Sequence, residues 1–269
     1  MSEEHRLYLK KLKTRKIVIR IAQFGTLIFL LWIWQLAAYL EWADPFIISS
    51  PSRVAKSIAS LYSSGELFTH SFASLWETVL SFTLSTVLGT VIAVALWWND
   101  FLRRVAEPYI VVLNSLPKIA LGPLIIIWVG AGKAAVIVMA LMISLVITII
   151  SALQGFSSVD SEKIDLLRSM GAKKGMIFLK LVFPQNIPNL LGILKINVGL
   201  SWVGTIMGEY LVSREGLGYL LVYGGQVFRL DLVMASTVIL SVLATAMYLF
   251  VGLLEKLVSK HFSDGGTFK

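Results

Sequence analysis

An all-helical, polytopic membrane protein is predicted by three observations. Mean hydropathy is +0.78, 57% of the 269 residues are apolar against 15% charged, and six apolar stretches are each long enough to cross a bilayer. A hydrocarbon core of about 30 Å takes about 20 residues of helix at about 1.5 Å each, and an open sheet could not satisfy its backbone there.

The chain begins with a basic segment, residues 1–16, ending in Lys10-Lys11-Leu12-Lys13-Thr14-Arg15-Lys16. The first span, Ile17 to Leu40, is too long for a signal peptide and lacks a small-residue cleavage site after it, so it reads as a retained anchor. Ser50-Pro51 has the form of an N-cap followed by proline at the first helical position. Val54, Ile58 and Leu61 then recur at helical spacing opposite Arg53, Lys56 and Ser60, which predicts a short interfacial helix. The second span, Leu75 to Trp98, carries Glu77, and Ser81, Ser85, Gly89 and Ala93 stand four apart as a close-packing face. The third, Pro108 to Val129, is interrupted by Pro117-Lys118 and Gly122-Pro123. The fourth is Ala134 to Gln154, the fifth Ile187 to Met207, with Gly204 and Gly208 read as packing positions, and the sixth Leu232 to Leu254. Residues 261–269 read as a disordered tail, and the whole chain as one transmembrane domain.

Orientation follows from Lys and Arg, because short cytoplasmic loops hold the positive excess. With the N-terminus inside, the inner segments hold 17 of the 24 and the outer ones five, so both termini are expected in the cytosol. The net charge of +8 belongs to span flanks without a basic-aromatic stripe, which favours anionic lipid headgroups and argues against nucleic acid. There is no cysteine, hence no disulfide or thiol metal site.

Residues 155–186, between spans four and five, form a charged insert long enough for two short helices. Asp160 or Ser161 can cap the first, which carries Ile164, Leu167 and Met170 toward one face, with Gly171 suited to a left-handed C-terminal turn. The second is expected from Lys173 to Val182, stopping at Pro184. A short helix with exposed apolar residues ringed by Arg168, Lys173 and Lys174 requires a protein partner.

Asp165-Leu166-Leu167-Arg168-Ser169-Met170-Gly171, with Leu181, Phe183 and Pro184 following, resembles the coupling-loop signature of ABC importer permeases: EAA, three residues, G, nine residues, I, one residue, L, P. Asp165 stands for the Glu and Leu166-Leu167 for the two alanines. Ser50-Pro51-Ser52, the proline-broken third span, and Glu209 followed by Gly216-Leu217-Gly218-Tyr219-Leu220 extend the likeness to the nitrate, sulfonate, taurine and thiamine-precursor branch. The resemblance implies the type I ABC importer permease fold in the bacterial inner membrane. It also implies a second permease subunit, two cytosolic ABC ATPase subunits that bind ATP and Mg²⁺, and an extracellular solute-binding protein. Ile164, Asp165, Leu167, Arg168, Met170, Gly171, Ala172 and Pro184 would then form the ATPase-coupling segment.

This chain has no phosphate-binding loop of its own, and no cofactor is expected: Gly130-Ala131-Gly132-Lys133-Ala134 lacks the first glycine at the required spacing and the Ser or Thr for magnesium. With His5, His70 and His261 outside the spans and no mid-span carboxylate pair foreseen, an intramembrane hydrolase is not expected. Candidate pathway residues are Asn197, Ser201 and Thr205, which recur at i, i+4 and i+8 toward Glu209, and Asn114 with Lys118. The first set serves either a pathway or helix packing. Lys118 either meets water, partner or substrate within the membrane or snorkels to an interface. Lys118 would suit an anion, and Trp202 or Tyr210 an aromatic ring. The rival reading is an ion-coupled secondary carrier, which needs paired ionisable groups in the membrane.

Overall fold

The computed structural model describes residues 3–42 and 44–264. The basic segment and the first span form one continuous helix, α1 (Glu3–Tyr39), whose apolar side chains from Ile17 to Trp32 are exposed, as suits a helix with lipid for solvent. After α2 (Pro45–Ile48), the expected interfacial helix is α3 (Pro51–Ser64). Ser50 caps it by accepting the Arg53 N–H at 3.4 Å, and Val54, Ser57 and Leu61 form its buried side.

The second span is α4 (Glu66–Trp98), beginning nine residues earlier than the hydropathy suggested. The third span departs most from a simple crossing helix: α5 (Asp100–Ser115) and α6 (Gly122–Val129), joined by a 3₁₀ turn over Lys118–Leu121, are bent by 88°. Pro117 supplies the cause, since it drives Leu116 out of the helical region (φ −66°, ψ 137°). α7 (Lys133–Ser157), α8 (Ser161–Ser169), α9 (Lys174–Ile177), α10 (Phe183–Val212), α11 (Leu217–Gln226) and α12 (Leu230–Asp264) complete the chain. Among the described residues, five helices are long and apolar enough to cross a membrane, or six if the bent pair is counted as one span. The tail expected to be disordered from residue 261 is helical through Asp264, because α12 simply continues; residues 265–269 lie outside the described residues.

α7 packs along both α4 and α10, and these three helices are the interior of the protein. Small residues permit it. A Cβ on Gly89 would lie 2.6 Å from that of Thr148, one on Gly208 would lie 2.8 Å from the Val136 Cα, and one on Gly204 would overlap the Ala140 backbone. Ser81, Ser85 and Ala93 are fully buried on the same face of α4, so the spacing-derived packing faces are those the helices use. Replacing Gly204 by leucine therefore forces α7 and α10 apart. We expect it to destabilise the bundle by about 1–3 kcal/mol, seen as a lower unfolding midpoint of the detergent-purified protein, whereas Gly192→Leu, facing open space, leaves the midpoint near wild type.

Candidate functional site

Two features stand out, one at each end of α10. The first is the segment α8–Gly171–α9. The Asp160 carboxylate accepts the Glu162 N–H at 3.0 Å and starts α8. At its other end Gly171 takes φ +83°, its N–H donating to the Arg168 carbonyl at 2.9 Å while the Ala172 N–H donates to that of Leu167 at 2.9 Å. That pair of bonds closes the helix and turns the chain back. A Cβ on Gly171 would meet nothing within 4 Å, so backbone conformation alone requires glycine here.

The structure divides the residues expected to couple to a partner. Ile164, Leu167 and Ala172 turn inward and pack against Phe156, Val159, Ile177 and Phe178, so they fasten the segment to its own bundle. Met170 is 75% exposed and points away, joined by Leu166 at 61%. Leu166 was missed as an outward residue, although its i, i+4 spacing to Met170 was available. Asp165 and Arg168 form an exposed ion pair at 3.1 Å. Pro184 does not end a helix. The expected second helix is only the four residues of α9, followed by a π-helical turn over Phe178–Val182 that runs directly into α10, with Pro184 in its first turn. The wider turn, in which the Phe183 N–H reaches the Phe178 carbonyl, accommodates the proline ring that would clash with the carbonyl four residues back in a regular helix.

The second feature is a ladder of polar side chains between α4 and α10. Ser74 Oγ donates to Glu209 at 2.5 Å, Thr78 Oγ1 to Thr205 at 3.0 Å, and Asn197 Nδ2 to Thr86 at 3.1 Å and to Thr148 of α7 at 2.8 Å. The rungs step by four, or twice four, on each helix. The same stepping puts Phe82 opposite Ser201, and there the serine hydroxyl finds no partner among the described residues. Asn197, Ser201 and Thr205 are fully buried and Glu209 is 1% exposed, so this stripe lies in the packing interior of the chain.

At its upper end the ladder grips α11. The three consecutive N–H groups of Gly216, Leu217 and Gly218 are taken in turn by His70 Nδ1 (3.0 Å), Ser74 Oγ (2.8 Å) and Glu209 Oε2 (2.6 Å). Gly216, at φ +107°, has no room for a Cβ against the Glu209 carboxylate. Glu77, 1% exposed, lies beside Glu209, and its oxygens find no hydrogen-bond partner among the described residues. The antiparallel register of α4 and α10 brings together two glutamates 132 positions apart, at one end of the two spans and not mid-span, which no local spacing could reveal. His70 and Ser74 were missed for the same reason.

Asn114 and Lys118 do come together across the proline break, the ammonium donating to the Asn114 carbonyl at 3.1 Å, but no hydrogen bond among the described residues joins them to the ladder. Of the two aromatic candidates, Tyr210 is exposed and Trp202 is buried with Val198, Met247 and Val251. Lys195, a second lysine inside a span, is settled by an ion pair with Glu255 that ties α10 to α12.

Residues 85–261 match the family model described as "Binding-protein-dependent transport system inner membrane component". The chain is 25% identical over 258 residues to the taurine transport system permease protein TauC of Escherichia coli, covering 93% of this chain and 94% of TauC. It is 29% identical over 187 residues to the formylaminopyrimidine transport permease protein ThiX of Halalkalibacterium halodurans, covering 70% and 74%. It is 28% identical over 233 residues to the riboflavin transport system permease protein RibX of Chloroflexus aurantiacus, covering 87% of each. Among solved structures, the fold is shared with the inward-facing MetNI methionine ABC transporter (TM-score 0.64, 20% identity, 73% of this chain and 97% of that one). It is also shared with a bacterial alginate ABC transporter in complex with its periplasmic protein (TM-score 0.62, 15% identity, 95% and 98%).

The clasp on α11 makes a graded prediction. Glu209→Ala leaves the buried Gly218 N–H and the Ser74 hydroxyl without an acceptor, at about 1–3 kcal/mol for each group left unmet. Glu209→Gln keeps an acceptor in place. Unfolding midpoints should fall in the order wild type, Gln, Ala, and cysteine pairs bridging α4 and α11 should cross-link less readily in the alanine variant.

Proposed function

The chain belongs to the family of binding-protein-dependent transport system inner membrane components, and from that premise we propose that it is one of two permease subunits of an ATP-driven importer. Two cytosolic ATPase subunits, which hold ATP and Mg²⁺, supply the energy, and an extracellular solute-binding protein supplies the substrate. The observation that carries this reading is α8: a capped helix closed by a glycine turn, rooted by Ile164 and Leu167 in its own core and presenting Leu166, Met170 and the Asp165–Arg168 pair outward. Such a helix transmits force only if both faces are engaged, one by the bundle and the other by a motor. The same reading puts the α8 end of the bundle and both termini in the cytosol, in line with the distribution of Lys and Arg.

A motor can shift the bundle between inward-open and outward-open only by holding the two states with different affinity. In this reading α10 carries the displacement of α8 toward the Glu209 clasp, and the ladder bonds of Asn197, Thr205 and Glu209, with Ser201 packed between them, keep α4, α7 and α10 moving as one body. Asn114 and Lys118, beside the 88° break of span three, are our candidates for residues that face the solute. The proposed substrate is a small solute of the sulfonate, nitrate, taurine or thiamine-precursor-like class, supported by relatives named for taurine and formylaminopyrimidine. An ion-coupled carrier would need its ionisable groups accessible to an ion; Glu77 and Glu209 are sealed from solvent and Lys195 is paired.

The decisive variant is Gly171→Trp. A side chain at φ +83° strains the turn by about 1–2 kcal/mol and splays the end of α8. Membrane insertion should persist while ATPase association and ATP-dependent uptake into proteoliposomes are lost. Wild-type uptake in this variant, or wild-type uptake that ignores ATP and collapses with an ion gradient, would count against the importer reading.

A further inference from the structure

The junction between the bundle and the α8–α9 segment encloses a cleft of about 380 Å³ with an uneven distribution of charge. Three cations from three separate elements line it: Arg103 of α5, Arg168 of α8 and Lys174 of α9, against the single carboxylate of Asp100. Asp100 pairs with both Arg103 and Arg104, and Asp165 pairs with Arg168, so the cations around the cleft still outnumber the carboxylates.

None of the three cations is used up. The Lys174 ammonium donates to the Trp98 carbonyl at 2.7 Å and rests over the Trp97 ring at 5.4 Å, which leaves N–H groups to spare. Arg103 gives Nη2 to Asp100 at 2.5 Å and Arg168 gives Nη1 to Asp165 at 3.1 Å, each from five available donors. The floor beneath them is apolar: Trp97, Phe156 and Ile177. The cleft also sits where α4 ends in Trp97-Trp98 and α5 begins, which is the aromatic, charged level of a bilayer interface. Ile164 lines it from the bundle-facing side of α8, whereas Arg168, with its side chain 63% exposed, also belongs to the outward face that carries Leu166 and Met170.

We propose that this cleft is a binding site for a phosphate-bearing anion, whose phosphate is held by Arg103, Arg168 and Lys174 over an apolar floor. A basic pocket between membrane helices at headgroup depth favours an anionic phospholipid; the aqueous source of the same chemistry is free phosphate. Because its walls come from the bundle and from the loop segment alike, an occupant braces α8 and α9 against α4, α5 and α7. The proposal requires the membrane fold and no particular motor or substrate.

The test uses the full chain purified in a non-ionic detergent, with unfolding midpoint as readout and three probes: dioctanoyl phosphatidylglycerol, its zwitterionic phosphatidylcholine counterpart, and inorganic phosphate. Phosphatidylglycerol should raise the midpoint by about 3 °C or more, growing with the logarithm of its concentration. Lys174→Gln and Arg103→Gln should each weaken the apparent affinity about tenfold, the loss of one charge-assisted contact. Lys163→Gln, on α8 but outside the cleft, should not. If Lys174→Gln does not fold, Arg103→Gln carries the comparison. A variant-sensitive shift with phosphatidylglycerol alone places the ligand in the bilayer, and an equal shift with inorganic phosphate places it in the aqueous phase; both support an anion site. A shift equally large with phosphatidylcholine, or one that Arg103→Gln and Lys174→Gln leave unchanged, overturns it.

Discussion

In a solvent without hydrogen bonds, the polar groups of a spanning helix can be satisfied only inside the protein. This requirement organises the chain. It explains why α4, α7 and α10, which carry the polar side chains, are the three helices packed most closely together, and why much of the outward surface of α4 is Val, Leu, Ile, Phe and Trp. Glycine and alanine along the contact faces let the backbones approach until serine and threonine hydroxyls can reach across. The hydrogen bonds are individually modest, around 0.6 kcal/mol on average between membrane helices. Their effect is to fix register, because a slip by one residue breaks every rung together.

The α8 segment obeys a different rule. Outside the bilayer a nine-residue helix is too short to be stable unaided, and this one is held by a cap at Asp160, a glycine turn at Gly171 and an apolar root in Ile164 and Leu167. Its outer apolar residues, Leu166 and Met170, are left over once the chain's own core is complete. That surplus is what the proposed docking role of α8 rests on.

Much of this was legible in the residues. Hydropathy located the spans, Ser50-Pro51 located α3, and Asp160 and Gly171 marked both ends of α8 to within a residue. The four-residue spacing of Ser81, Ser85, Gly89 and Ala93 identified a contact face without naming what it touches. The unreadable part was tertiary. Glu77 beside Glu209, and Ser74 with His70 around α11, depend on the antiparallel register of helices far apart in sequence. Local pattern also misjudged Pro184: proline normally reads as a stop, but a π-helical turn just before it lets the helix proceed. The inward turn of Ile164 and Leu167 could not be inferred from helical spacing alone, since the same spacing serves a face turned to the core or to a partner.

That uninterrupted passage through the π-turn has a mechanical corollary. From Lys174 to Val212 the backbone is helical without a loop, a rod of about 55–60 Å at about 1.5 Å per residue. Its foot is bolted to the loop helix and its head to the glycines of α11. A pushrod with no slack converts a small tilt at the foot into a proportionate sideways sweep at the head. The wide turn at Phe178–Val182 lies close to the foot, so under the proposed coupling most of the rod lies beyond it.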